Sequence, residues 1–241
     1  MIAAALLLLI AAPAGAAAPF EAQAAAVERA ARSARPPAAV EPAPRDLPAI
    51  LETLPTLSRD ERGFDDSPVN LLMFGHEAAV RAAAQAAGWE DADRAPKAAA
   101  EPESFPPVSA EYLYGRRQDL ALFQDVRYPR SRHHFRLWRA PFAGPRGETV
   151  WVGTANYDAD IAFGWKVYER CGMRGFYHRI DPDIDAERAY IGATLAAAGA
   201  TAGSGLLSRP GGVHSGVDSK CSPYHSDGRV LLLTLRPSSL P

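Results

Sequence analysis

The sequence predicts an α+β domain: one mixed, largely antiparallel sheet with two main helices, preceded by a signal-like leader and a spacer. Three observations carry that reading. Four β-like runs follow one another across residues 112–157 with short gaps, which favours antiparallel pairing. Two stretches with helical character, one before those runs and one after them, supply layers to cover the sheet. A last apolar run over 229–235 closes the chain after the second helix.

The first strand is Val69-Asn70-Leu71-Leu72-Met73-Phe74, a nearly continuous apolar run suited to burial on both faces. Gly75 ends it. Residues 76–88 read as a helix, with Ala79, Val80, Ala83 and Ala87 on one stripe and Gly88 as the stop. Residues 90–109, containing Pro106-Pro107, read as a long loop. The β-like runs are 112–114, 119–123, 133–139 and 149–157, and 176–180 reads as a fifth, short strand. A helix over 181–198 follows, with Asp183 or Asp185 near its start and Gly199 at its end. The Gly/Ser-rich stretch 199–228 reads as a loop before the final strand.

At 241 residues the chain makes one large domain or two small ones and can bury a core without staples. Its 47% hydrophobic and 22% charged content is globular. A formal net charge of −2 excludes the broad basic field of non-specific nucleic-acid binding. The absence of G-x-x-x-x-G-K-[ST], G-x-S-x-G, H-E-x-x-H and C-x-x-C removes P-loop NTPases, common serine hydrolases, zincins and zinc ribbons from the first rank.

Residues 1–18 lack charged side chains and hold an apolar block around Leu6-Leu7-Leu8-Leu9-Ile10, followed by Pro13 and the small-residue pattern Ala14-Gly15-Ala16. That is the expected form of an export signal, cleaved near Ala17. The block is shorter than the roughly 20 apolar residues of a full span. An uncleaved anchor, or a longer segment from an upstream start, is the alternative. Residues 19–46 read as an Ala/Pro-rich helical spacer and linker, helix-prone from Phe20 to Arg35 and ended by Pro36-Pro37, or as a simple tail, so the folded domain is expected over 47–241 and outside the cytoplasm, in the periplasm or otherwise exported. In an exported chain Cys171 and Cys221 read as one disulfide; the other reading is two unrelated buried thiols.

Three clusters hold the residues suited to chemistry. The first is Gly115-Arg116-Arg117-Gln118-Asp119. In the second, Arg130-Ser131-Arg132-His133-His134-Phe135-Arg136-Leu137-Trp138-Arg139, period two sends His133, Phe135 and Leu137 to one face and His134, Arg136 and Trp138 to the other. His133 is therefore expected against the core, and His134 is the ligand or base candidate. The third cluster joins His178 to Asp181 at a strand-to-helix junction, where the pair either meets a metal or a shared proton, or serves ordinary helix-start bonding.

These stretches resemble the LssY C-terminal domain family of bacteria. The likeness runs through Pro68-Val69-Asn70-Leu71, Ala87-Gly88-Trp89, Tyr114 to Ala121, the Arg130 to Trp138 cluster, Trp151-Val152-Gly153, His178 to Arg188 and Ser226-Asp227-Gly228-Arg229, about residues 47 to 236. It implies an accessory domain of the cell envelope, found at the end of proteins that include some with type-2 phosphatidic acid phosphatase or DedA-like membrane segments. It brings no established reaction. Where related sequences carry two histidines before the isoleucine, this chain has Tyr177-His178-Arg179, so no metal site is assigned there.

Three functions compete. The first is an envelope binding domain for an anionic, phosphate-bearing lipid or glycan, or for a membrane-protein partner, with Arg116, Arg117, Arg132, His134, His178 and Asp181 around the ligand. The second is a hydrolase using His134, His178 and Asp181. The third is a docking module whose contact surface includes Trp138, Trp151 and Trp165. The sequence names no cofactor, and convergence of the histidines, Asp181 and an arginine in one pocket is what separates the first two readings from the third.

Overall fold

The computed structural model describes residue 43 and residues 45–92, 108–127 and 130–237. The expected signal, nearly all of the spacer and most of the 90–109 loop lie outside the described residues.

Three helices and thirteen strands are described. Helix α1 (Leu47–Thr53) starts where Asp46 accepts a hydrogen bond from the Ala49 N–H, with Pro48 in its first turn, and it buries Ile50. Helix α2 (Glu77–Ala86) buries Ala79, Val80, Ala83 and Ala84. Helix α3 (Ile184–Ala197) is capped by Asp183, which accepts from the N–H groups of Asp185 and Ala186. Only α2 and α3 were expected. The seven-residue α1 has too few turns to show a periodic stripe.

The main sheet has eleven strands, and its path runs β3 (Glu90–Asp91), β6 (Leu120–Arg127), β7 (Ser131–Ala143), β8 (Thr149–Val167), β2 (Asp65–Phe74), β1 (Leu57–Asp60), β4 (Glu111–Leu113), β5 (Arg116–Arg117). Strand β13 (Val230–Leu235) pairs parallel with β2 and antiparallel with β10 (Thr201–Leu207), and β9 (Gly172–Ile180) pairs with β8. One parallel pair among antiparallel ones makes the sheet mixed, as expected. A separate hairpin joins β11 (Ser215–Val217) to β12 (Pro223–His225). The stretch 199–228 is thus not the plain loop its Gly/Ser content implied. Strand β10 is largely exposed and Gly-rich, so no apolar alternation marks it, and its ladder with β13 decides its conformation.

Strand β2 divides its side chains as its apolar run requires. Leu71 and Met73 join Phe135, Leu137 and Trp151 beneath α2 and α3, with Ile191 and Leu195 of α3. Leu72 and Phe74 face the other way, against Trp138, Val150, Val152 and Ile50 of α1. Trp138 and Trp151 are fully buried, which removes them from any contact surface; truncating either would belong with core deletions costing about 3–5 kcal/mol.

Candidate functional site

The site is built by β7 and β8. Their register pairs Arg132 with Asp158, His134 with Asn156 and Arg136 with Thr154. All six are buried on the sheet face opposite helices α2 and α3. At Asp158 strand β8 leaves β7 and takes up β9, and the register shifts between Asp158 and Asp160. That irregularity brings His178 of β9 to the same place. Ser67 of β2, Glu111 of β4 and Asp218 and Lys220 of the loop after β11 complete the walls of a cavity of about 90 Å³, room for several waters or one small oxyanion.

Asp158 is the centre of the charge pattern. Its Oδ2 lies 2.9 Å from Arg132 Nε and 3.6 Å from Nδ1 of both His134 and His178. Burial pushes its carboxyl up, but His134, Arg132 and His178 outweigh that and hold it at about 2. Arg132 Nη2 also donates to His178 Nδ1 at 2.7 Å, which places the ring proton of a neutral His178 on Nε2. Burial holds His134 well below the usual 6.5 against the pull of Asp158, so its imidazole is neutral at neutral pH, and Nδ1 has no hydrogen-bond partner.

Arg136 is committed differently. Its Nη1 lies 2.6 Å from Glu111 Oε1, and its Nε and Nη2 donate to the Ser109 carbonyl and hydroxyl. Lys220 has no hydrogen bond or ion pair through its ammonium among the described residues. Burial lowers its pKa, but Asp66, Asp218 and Asp158 more than offset this and keep it charged.

The structure brings Arg132, His134 and His178 together and leaves Arg116, Arg117 and Asp181 outside the cavity. Arg116 pairs with Asp119 and donates to the Arg139 carbonyl. Arg117 borders an adjoining cleft of about 600 Å³ that shares Asp66, Val108, Ser109, Met173 and Lys220 with the cavity. Asp181 Oδ1 accepts from the Asp183 N–H, the helix-start role. Sequence reasoning missed Asp158, Lys220, Asp218 and Glu111. The signal for Asp158 was the polar alternation Thr154, Asn156, Asp158, which the expected strand end at 157 cut one residue short. Among the described residues no group of three or more His, Cys, Asp or Glu side chains is placed to hold a metal ion.

His133 faces the helices, as period two requires. It stacks on Tyr190 at 3.8 Å, and Nδ1 lies 2.6 Å from Glu187 Oε2. Burial pushes Glu187 up to about 7 although His133 pulls it down, and burial pushes Asp218 up to about 6 although Lys220 pulls it down. Both carboxyls hold their protons more tightly folded than unfolded. Their contribution to stability is therefore full below about pH 4 and lost as pH rises through about 6 and about 7. A carboxyl moved from 4.5 to about 7 costs the fold on the order of 3 kcal/mol at higher pH. Glu187→Gln should flatten the fall in melting temperature between about pH 5 and about pH 8, measured by a calorimetric pH series. An unaltered slope would mean that Glu187 titrates normally.

A family profile described as LssY C-terminus matches residues 51–230 of the chain. Neither a curated protein nor a solved structure shows a match to it.

Proposed function

Because the chain belongs to the LssY C-terminal family, whose profile takes in every wall of the cavity, we propose that it is an exported envelope domain that binds an anionic, phosphate-bearing group in that cavity. The carrying observation is Lys220: a cation that lines the cavity without a hydrogen bond or ion pair among the described residues. Arg136 is matched by Glu111 and Arg132 by Asp158. Asp66 is occupied by the Ser219 N–H and hydroxyl. A phosphate oxygen beside Lys220 supplies the missing partner, and His134, which lines the same cavity with Nδ1 lacking a hydrogen bond, offers a second polar contact. Asp218 Oδ2, also unpartnered, suits the hydroxyl of a monoprotonated phosphate. Export rests on the leader and on the Cys171–Cys221 disulfide, which belongs to an oxidising compartment. Among the described residues no helix is long and apolar enough to cross a membrane.

Hydrolysis is the second reading, and Asp158 favours it. It stands beside both imidazoles, where the sequence had pointed to Asp181, and an Asp-supported histidine is a general base. Calorimetric titration of the full chain with inorganic phosphate and with glycerol phosphate tests the binding reading and separates a free anion from a lipid headgroup. Lys220→Met should weaken binding by about tenfold or more at a temperature where the variant is still folded, and His134→Ala should weaken it too. If neither anion binds, or Lys220→Met binds as wild type does, the reading fails. Turnover of p-nitrophenyl phosphate that disappears in His134→Ala would move the assignment to the second reading.

A further inference from the structure

Past Asp158, β8 and β9 continue as a two-stranded hairpin, from the Asp160–Arg179 pair to the Val167–Gly172 pair. Its aromatic side chains stand in the open: Trp165 is 80% exposed, Tyr168 61%, Phe176 60% and Phe163 44%. Phe163 packs edge-on against Trp165 at 4.6 Å and Phe176 at 5.0 Å, so three rings from the two strands form one exposed apolar cluster. Soluble surfaces rarely keep such a cluster without a use.

The charges around it are mostly basic. Residues 163–176 contain Lys166, Arg170 and Arg174 against the single acid Glu169, all four exposed, in a chain whose formal net charge is −2. The hairpin is also tied down. Cys171 is bonded to Cys221, the Gly172 N–H donates to the Ser219 carbonyl, and Arg62 donates to the Gly172 and Ser219 carbonyls. A held element presents its rings with little ordering left to lose on binding.

We propose that the β8–β9 hairpin is a membrane-docking element that seats Phe163, Trp165 and Phe176 in the headgroup layer of an anionic bilayer. Tryptophan and phenylalanine flanked by basic residues are the side chains that partition to a lipid interface, where the rings sit at the acyl boundary and the cations meet lipid phosphates. A stable protein partner takes about 800 Å² from each side, more than three rings at the end of a two-stranded hairpin offer. A lipid surface needs no complementary shape. Phe176 also lines the cavity, so docking brings the cavity to headgroup level. The proposal stands apart from the cavity's ligand.

Trp165 reports the event by itself. Trp89, Trp138 and Trp151 are at most 4% exposed, and the leader has no tryptophan. The full chain is titrated with phosphatidylethanolamine–phosphatidylglycerol vesicles and, separately, with phosphatidylcholine vesicles at low salt. With the anionic vesicles, Trp165 emission should shift to the blue and be quenched by brominated lipid, and with phosphatidylcholine it should move little. Trp165→Ser with Phe163→Ser should lose about tenfold or more of the co-sedimentation with an unchanged melting temperature. Emission that does not shift, equal binding to both vesicles, or pelleting with unshifted emission overturns the proposal. So does a concentration-dependent dimer abolished by Trp165→Ser, which would assign the rings to a second copy of the chain. Lys220→Met should still bind vesicles, so failure here and failure of phosphate binding are separate results.

Discussion

Replacing Glu111 by leucine should lower the stability of the folded chain by about 3–5 kcal/mol, among the largest losses open to a single substitution here. Glu111 is 1% exposed and Arg136 2%. Burial pushes the Glu111 carboxyl up while Arg136 pulls it down, and the Ser58 and Ser67 hydroxyls donate to its two oxygens at 2.5 and 3.2 Å. Taking the carboxylate away leaves a guanidinium in the same low-dielectric place with only Ser109 for company. The double variant Glu111→Leu with Arg136→Met removes both charges and should recover most of the loss, because a buried pair is worth far less than the cost of leaving one member alone. Chemical denaturation of the two single variants and the double gives the cycle. A single variant no less stable than the double would show that water reaches Arg136. The cycle also bears on the site: an arginine fixed by Glu111 and Ser109 holds the cavity wall, and the cation left for a ligand is Lys220.

What the sequence made legible is what depends on local patterning. The apolar run from Val69 to Phe74 is buried on both faces because nothing in it prefers water. Alternation along β7 separated His133 from His134 correctly, since in an extended strand adjacent side chains cannot share a face. Asp183 was legible as a helix start. Arg116, Arg117 and Asp181 were offered for the ligand on the strength of their chemistry and their place at strand ends, and local partners decide two of them: Asp119 is three positions from Arg116, and the Asp183 N–H two from Asp181.

What stayed hidden depends on long-range closure. Glu111 meets Arg136 because β4 lies across the sheet face, and no spacing in the chain announces that. Lys220 lies in a Gly/Ser-rich stretch beside Cys221, and long-range ties, among them the disulfide and the bonds of Ser219 to Asp66 and Arg62, turn it into the cavity. Of the hairpin's exposed rings, Phe176 read as part of an ordinary strand over 176–180 and Phe163 lay beyond the strand expected to end at 157; Trp165 was offered for a contact surface, but its grouping with the other two needs the pairing of β8 with β9.

Lys220 and the hairpin meet at the disulfide, and its removal is the second large effect. Cys171→Ala with Cys221→Ala, or reduction, opens a loop of 50 residues. That should cost about 4 kcal/mol on chain entropy and falls within the roughly 2–5 kcal/mol range for native disulfides. Denaturation with and without reductant measures it, and a loss under about 1 kcal/mol would mean that the loop's other bonds carry the constraint. Those bonds are real: the Cys221 N–H reaches the Asp218 carbonyl at 3.0 Å, and the Asp218 N–H reaches the Ser222 carbonyl at 2.9 Å. They close a tight turn in which Cys221 is held at φ 70°, a left-handed conformation that costs a non-glycine residue about 1–2 kcal/mol. With the cross-link gone, the turn can relieve that cost by opening, and Lys220 leaves its place in the cavity as it does. Phosphate affinity should therefore fall by about tenfold or more at a temperature where the reduced chain is still folded, because Lys220, without an ion pair among the described residues, is the cation the anion would meet. Affinity that survives reduction while stability drops would separate the two effects and place the anion on Arg132 and the histidines, beyond the reach of the 218–222 turn.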